Sequence, residues 1–153
     1  SEEKCQACLK LGADVAINYH QNSFEQWKKA NVPDGFNVII DVVGGDYLQR
    51  NINVAAVDGH IVILSILQGR YCEKIDIGKM LSKRVTITAS TLRNRSNDYK
   101  AELVANFKED FGKLLCAGQL LPVIDTCYQW QNTDKAHQRM LENGNIGKLV
   151  LMV

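Results

Sequence analysis

Proline and aromatic residues are scarce in this chain: 153 residues contain two prolines and 7% Phe, Trp and Tyr. So little proline excludes a Pro-rich linker between domains, and no repeat or low-complexity tract takes its place. Neither sign of charge dominates. Eighteen Lys and Arg against 17 Asp and Glu leave a formal +1, which removes the basic footprint of a nucleic-acid binder and the charge block of an interaction tail. The longest apolar runs, such as "HIVILSIL", are strand-sized and far short of the roughly 18 residues of a membrane span. No signal-peptide pattern precedes the first helix, so the expectation is a cytoplasmic protein with no nucleic-acid and no membrane partner.

A second C-x-x-C is missing too. Cys5 and Cys8 share that spacing on an expected helix, while Cys72, Cys116 and Cys127 stand singly and His20, His60 and His137 are scattered. That leaves no four-ligand metal set. Five reduced, mostly packed thiols are the expectation. A thiol redox role for Cys5 and Cys8 is the weaker alternative, since no thioredoxin-like strand precedes them.

What is present alternates. Hydrophobic residues make up 46% of the chain, enough for one ordinary globular core. "EKCQACLKLG" reads as a helix stopped at Gly12, "DVAINY" as a short strand, and "SFEQWKKANV" as a helix with Ser23 and Gln26 at capping-box spacing. "FNVIIDVVGG" is a near-continuous apolar strand, the composition expected when both sheet faces are covered. A helix over "DYLQRNINVAAV", a turn at Asp58 and Gly59, and the strand "HIVILSIL" follow. "IDIGKMLSKR" is less regular, with one or two helical turns expected, and "VTITAST" is a β-branched strand. The longest helix carries Tyr99, Leu103, Phe107, Phe111 and Leu114 at helical spacing, closed by Gly118. "LLPVIDTCYQW" reads as extended, "TDKAHQRMLENG" as a helix capped by Thr133 and ended by Gly144, and "GKLVLMV" as a last strand. Strand and helix in alternation predict an α/β fold with a mostly parallel sheet.

Doubly wound sheets bind ligands at the carboxyl ends of their strands, which singles out three stretches. In "DVVGG", Gly44 and Gly45 let backbone approach a flat ligand, or make an ordinary strand-to-helix turn. Leu64, Ser65 and Ile66 end the next strand at the same sheet edge, or simply complete a buried strand. Asn145 and Gly147 in "NGNIGKLVL" offer a side-chain amide and open backbone, or a helix cap and turn.

These pieces, in this order, resemble the medium-chain dehydrogenase/reductase superfamily, and within it the zinc-free quinone oxidoreductase branch. The words that carry the likeness are "SEEK…A…LGAD…AINY", "GFNVIIDVVGG", "STLRNRS…YKAELV", "LLPVID" and "AHQRMLENGNIGKLVL". They span essentially the whole chain and are most specific from Leu92 onward. The resemblance implies NADPH as cofactor and a small quinone or enone as substrate. It implies that Ser1 and Lys4 select NADPH by holding the adenosine 2′-phosphate, a dianion that wants a cation and hydroxyl donors. Tyr19 would lie against the adenosine end. Val43, Gly44, Leu64, Ser65 and Ile66 would line the ribose and nicotinamide, and Asn145 and Gly147 would contact the nicotinamide half. No metal site and no catalytic residue is implied in this chain.

The glycine-rich G-x-G-x-x-G that grips a pyrophosphate does not occur here. In the strand order 3-2-1-4-5-6, "DVAIN" would be strand three and "FNVIIDVV" strand four. The expectation is therefore a partial doubly wound (Rossmann-type) parallel sheet lacking its first two strands, with a slot about 10–15 Å wide. Residues 1–118 would form the partial dinucleotide-binding domain, and 119–153 a segment returning toward an absent catalytic domain. The functional expectation is the cofactor-binding half of an NADPH-dependent quinone oxidoreductase, inactive alone. A homodimer paired along the "VTITAST" edge is also expected. Alternatives are an enoyl or alkenal reductase of the same superfamily, and a non-catalytic Rossmann-type dimerisation or redox-sensing module.

Overall fold

A computed structural model describes all residues, Ser1–Val153. Two compact units are present: Ser1 with Val15–Arg95, and Glu2–Asp14 with Ser96–Val153. The second unit thus begins at Ser96 and takes in the first helix, whereas the sequence suggested a division after residue 118.

The first unit holds α2 (Phe24–Asn31), β1 (Phe36–Asp41), α3 (Tyr47–Val54), β2 (Ala55–Ile63), α4 (Ile77–Lys83) and β3 (Thr86–Ala89). Its sheet is parallel, in the order β1-β2-β3. Ile52, Ala55 and Ile61 form the buried centre, with Ile39, Leu48 and Met80 packed against it. Ile52 and Ile61 are fully buried, and removal of each side chain from water contributes about 1.5–3 kcal/mol. Lys83 caps α3 from the side: its ammonium donates to the carbonyls of Ile52, Asn53 and Ala55 at 3.0, 2.9 and 2.6 Å. Those carbonyls lie at the end of a helix, where backbone acceptors lack intrahelical partners.

Three expectations are corrected in this unit. "DVAINY" is not a strand: residues 15–18 carry no regular structure and pair with nothing. An apolar, extended stretch becomes a strand only when a ladder partner satisfies its N–H and C=O groups. The sheet is also not covered on both faces along β1. Val38 and Ile40 are 63% and 66% exposed, while Ile39, between them, packs on the core. Third, the strand after α3 starts at Ala55, and the expected turn survives inside it. Asp58 adopts φ 61, where the register jumps from Phe36↔Ala55 to Val38↔His60. "IDIGKMLSKR" holds the short helix expected of it, which Asp76 caps by accepting from Lys79 N at 2.9 Å.

The second unit holds α1 (Glu2–Lys10), α5 (Asn97–Cys116), β4 (Ile124–Gln129), a 3₁₀ turn (Trp130–Asn132), α6 (Thr133–Leu141) and β5 (Lys148–Met152). β4 and β5 pair in parallel as a separate two-stranded sheet. Ser96 caps α5 by accepting from Tyr99 N, and Gly118, at φ 69, follows its end as expected. The apolar stripe of α5 is nonetheless uncovered, and the helix has no buried residue. Thr133 does not act as the N-cap of α6; Asn132 holds that position. The helix stops through Asn143, at φ 53, before Gly144 is reached. The thiols are free but not mostly packed, since Cys8, Cys116 and Cys127 are exposed. No helix is long and apolar enough to cross a membrane.

Candidate functional site

In the first unit the site grows from Asp41, the last residue of β1. A carboxylate ending an apolar strand is solvated only if something donates to it, and this one is 3% exposed. Its Oδ1 accepts from Val43 N at 2.7 Å and Gly44 N at 3.0 Å, and its Oδ2 from the buried Asn51 Nδ2 at 2.9 Å. The chain is thereby bent tightly as it leaves the strand. Gly44, at φ 72, then comes close to the segment that follows β2. A Cβ there would stand 2.8 Å from Ile66 Cα and 2.9 Å from Gly69 O. Leu64 N donates to Asp41 O and Gln68 N to Val43 O, both at 2.8 Å, stitching the two strand exits together. So Val43, Gly44, Leu64, Ser65 and Ile66 are gathered at one sheet edge, as the sequence implied.

Beside them opens an apolar cleft of about 330 Å³. Three rings line it, Tyr19, Phe24 and Tyr47, together with Val43, Leu67 and the amide of Gln68. Phe24 and Tyr47 stack with centroids 5.9 Å apart at 24°. Arg50 fixes them, its guanidinium carbon 4.4 and 4.5 Å from the two centroids. Glu25 holds that arginine through Nε at 3.1 Å. Tyr19 is thus placed at a ring-lined wall.

In the second unit Asn145 and Gly147 lie on the turn between α6 and β5. The turn is seated on Asp125 of β4, whose side chain is 7% exposed. Its carboxylate accepts from Arg139 Nε and Nη2 at 2.6 and 2.9 Å, from Ile146 N at 2.8 Å and from Thr126 Oγ1 at 2.7 Å. The Arg139 guanidinium foremost, then the Ile146 N–H and the Thr126 hydroxyl, hold the carboxyl well below the usual carboxylate range. The bidentate pair in turn raises Arg139. Asn145 Nδ2 donates to Gly147 O at 2.9 Å. Gly147, at φ 101, lies where a Cβ would be 2.8 Å from Val123 C, so its backbone packs against the chain entering β4. Lys4, also in this unit, donates to Asn143 O at 2.6 Å and Asn143 Oδ1 at 2.8 Å. Ser1 belongs with the first unit and is exposed.

Sequence reasoning missed Asp41, Asn51 and Asp125 and the rings of Phe24 and Tyr47. Asp41 had a local signal, an acid closing an apolar run just before Val-Val-Gly-Gly. Phe24 and Tyr47 had none, because 23 residues separate them and only packing joins them.

A parallel α/β sheet with its glycine turn and cleft at the strand exits defines a dinucleotide-binding type of domain. The family model described as zinc-binding dehydrogenase matches residues 11–151, and the chain belongs to that family. Among curated relatives, quinone oxidoreductase-like protein 2 of Bos taurus is 26% identical over 155 residues, covering 99% of this chain and 43% of the relative. The Mus musculus protein of the same name is 39% identical over 70 residues, 45% of this chain and 20% of the relative. Among solved structures, a quinone oxidoreductase of Pseudomonas syringae pv. Tomato DC3000 superposes with TM-score 0.80 at 22% identity. It is covered over 47% of its length, and this chain over 100%. The chain therefore spans less than half the length of these relatives. The quinone oxidoreductase-like resemblance and the Rossmann-type architecture both hold.

The family's description mentions zinc, yet no three His, Cys, Asp or Glu side chains gather where they could hold a metal ion. These residues do not fit one. A dinucleotide fits in part. The ring-lined cleft and the close approach at Gly44 suit flat heterocycles, while no G-x-G-x-x-G turn is present for a pyrophosphate.

Proposed function

We propose that this chain is the cofactor-binding part of an NADPH-dependent quinone oxidoreductase, acting on a quinone or an α,β-unsaturated carbonyl compound in the cytoplasm. The observation that carries the reading is the convergence of Gly44 and Ile66 at the exits of β1 and β2, beside the cleft of Tyr19, Phe24 and Tyr47. NADPH, when bound, supplies the hydride; the residues here bind and orient it. Tyr19 and its neighbouring rings hold the adenosine end by stacking. Val43, Gly44, Leu64, Ser65 and Ile66 form a close-fitting wall for ribose and nicotinamide. Lys4 and Ser1 are assigned to select the 2′-phosphate, as a cation and a hydroxyl donor, and Asn145 and Gly147 to contact the nicotinamide half. No residue of this chain is assigned to polarise the substrate.

Without a turn to grip the pyrophosphate, the 153-residue chain alone binds NADPH more weakly than micromolar and turns over no quinone. Titration calorimetry with NADPH, paired with amide NMR at millimolar NADPH, tests this. Weak binding with shifts centred on Tyr19, Gly44 and Ile66 is expected. Micromolar affinity would refute the weak-binding claim, and no shift at those residues would refute the cofactor role.

A further inference from the structure

We propose that Lys28, Lys79 and Lys83 form a site for a compact phosphate dianion at the amino ends of the strands, independent of the NADPH reading above. Lys83 gives its three N–H groups to the carbonyls of Ile52, Asn53 and Ala55, at 3.0, 2.9 and 2.6 Å. Lys79 reaches the same asparagine, donating to Asn53 Oδ1 at 2.8 Å. Lys28 donates to Pro33 O at 2.6 Å. The loop that follows Pro33 packs on the start of β2: a Cβ on Gly35 would stand 2.7 Å from Ala55 O, the oxygen that Lys83 holds. Three ammonium groups from α2 and α4 thus gather where α3 passes into β2, a strand's length from the glycine turn at Gly44.

None of these acceptors is a carboxylate. Glu25 and Asp58 pair with Arg50 and Arg84 instead, although Glu25 also accepts from Asn53 Nδ2 at 3.3 Å. Asp76 is turned to the backbone N–H of Lys79, and Asp34, next to Pro33, is exposed. The carboxyl end of α3 supplies roughly half a negative charge, against three cations. All three lysines are half-buried, where salt screens them less than at an open surface. Burial, then the charges of Lys28 and Lys79, push Lys83 below the ordinary lysine value. An anion seated among the three relieves that repulsion. Lys28 and Lys79 each give one N–H to a neutral oxygen and keep two for a ligand, while Lys83 contributes its charge alone. Four charge-assisted donors on two cations suit a tetrahedral oxyanion. Free phosphate and the phosphomonoester of a small metabolite share that chemistry.

The test titrates the full chain at neutral to mildly alkaline pH with sodium phosphate and with glycerol 2-phosphate, each against sodium chloride at matched ionic strength, followed by amide NMR. Phosphate is expected to shift the amides of Asn53, Val54, Ala55 and Lys83 saturably, with Kd of about 1 mM. Tighter binding of the ester assigns a phosphomonoester as the ligand; otherwise it is the inorganic ion. Lys28→Gln and Lys79→Gln each leave Lys83 on its three carbonyls and should weaken binding about threefold. The double variant should show no saturable shift. Circular dichroism establishes that each variant is folded, and phosphate should raise the Tm of wild type but not of the double variant. Shifts no larger than those in chloride, undiminished affinity in the folded variants, or saturable shifts confined to Tyr19, Gly44 and Ile66 would overturn the site.

Discussion

Two carboxylates organise the residues around them, and each makes a testable claim. Asp41 receives three N–H donors while almost wholly buried. Asp41→Ala strands those donors and should destabilise the first unit by about 3 kcal/mol, since hydrogen bonds to a charged group are worth about 1.5–3 kcal/mol each and partial relaxation recovers some. Urea unfolding measures it; a loss below 1 kcal/mol would mean the turn holds by other means. Asp125 gives a pH dependence. Its folded pKa lies below the unfolded value of about 4, so the native state binds fewer protons there. The stability it contributes is fully present above about pH 4 and is lost as pH falls through the folded value. Urea midpoints should drop from pH 5 to pH 2.5, and Asp125→Asn should lower the midpoint at pH 5 and flatten that slope. An unchanged slope in the variant would assign the acid lability elsewhere.

At the scale of elements, the ends of helices and strands carry the strain and the caps. Gly147 has no room for a methyl group against Val123 and sits at φ 101. Gly147→Ala should weaken the β4–β5 pair by about 2 kcal/mol or more, seen as faster amide exchange at Lys148 N, which donates to Val123 O at 2.8 Å. Protection equal to wild type would show that β5 can shift to admit the methyl. Lys83 makes a different case. Burial lowers its pKa, with Lys28 and Lys79 adding to the effect, yet three carbonyls of and beside α3 accept from it. Lys83→Met removes the charge and the three bonds together and should cost about 1–2 kcal/mol. The exposed pair of Arg84 and Asp58, by contrast, lies in the range where surface ion pairs add little.

For the molecule as a whole, the open faces matter most. Val38 and Ile40 present an apolar face of β1 to solvent, and β1 and β3 both end their sheet. An uncovered apolar face beside open sheet edges favours self-association. Size-exclusion chromatography should place the 17.1 kDa chain above monomer size at tens of micromolar, and Val38→Lys with Ile40→Lys should move it toward monomer. A clean wild-type monomer would remove both the association and the homodimer we infer along β3.

Much of the fold was legible because it depends on local pattern. The apolar runs of β1 and β2, the Ser23 cap and the left-handed Gly12 and Gly118 all follow from side-chain chemistry within a few residues. That Gly44 and Ile66 come together was readable because strand exits are predictable from strand order. Other features depend on partners distant in the chain. Residues 15–18 have strand composition but no ladder, so pairing, not propensity, decided their state. Phe24 meets Tyr47, Asp125 meets Arg139 and Lys4 meets Asn143 only because packing brings them together. The sequence by itself determined which segments could become helix or strand and which glycines had to turn. Tertiary structure alone decided which edges found partners and which charges were held, because hydrogen bonds and burial between remote residues exist only once the chain has folded.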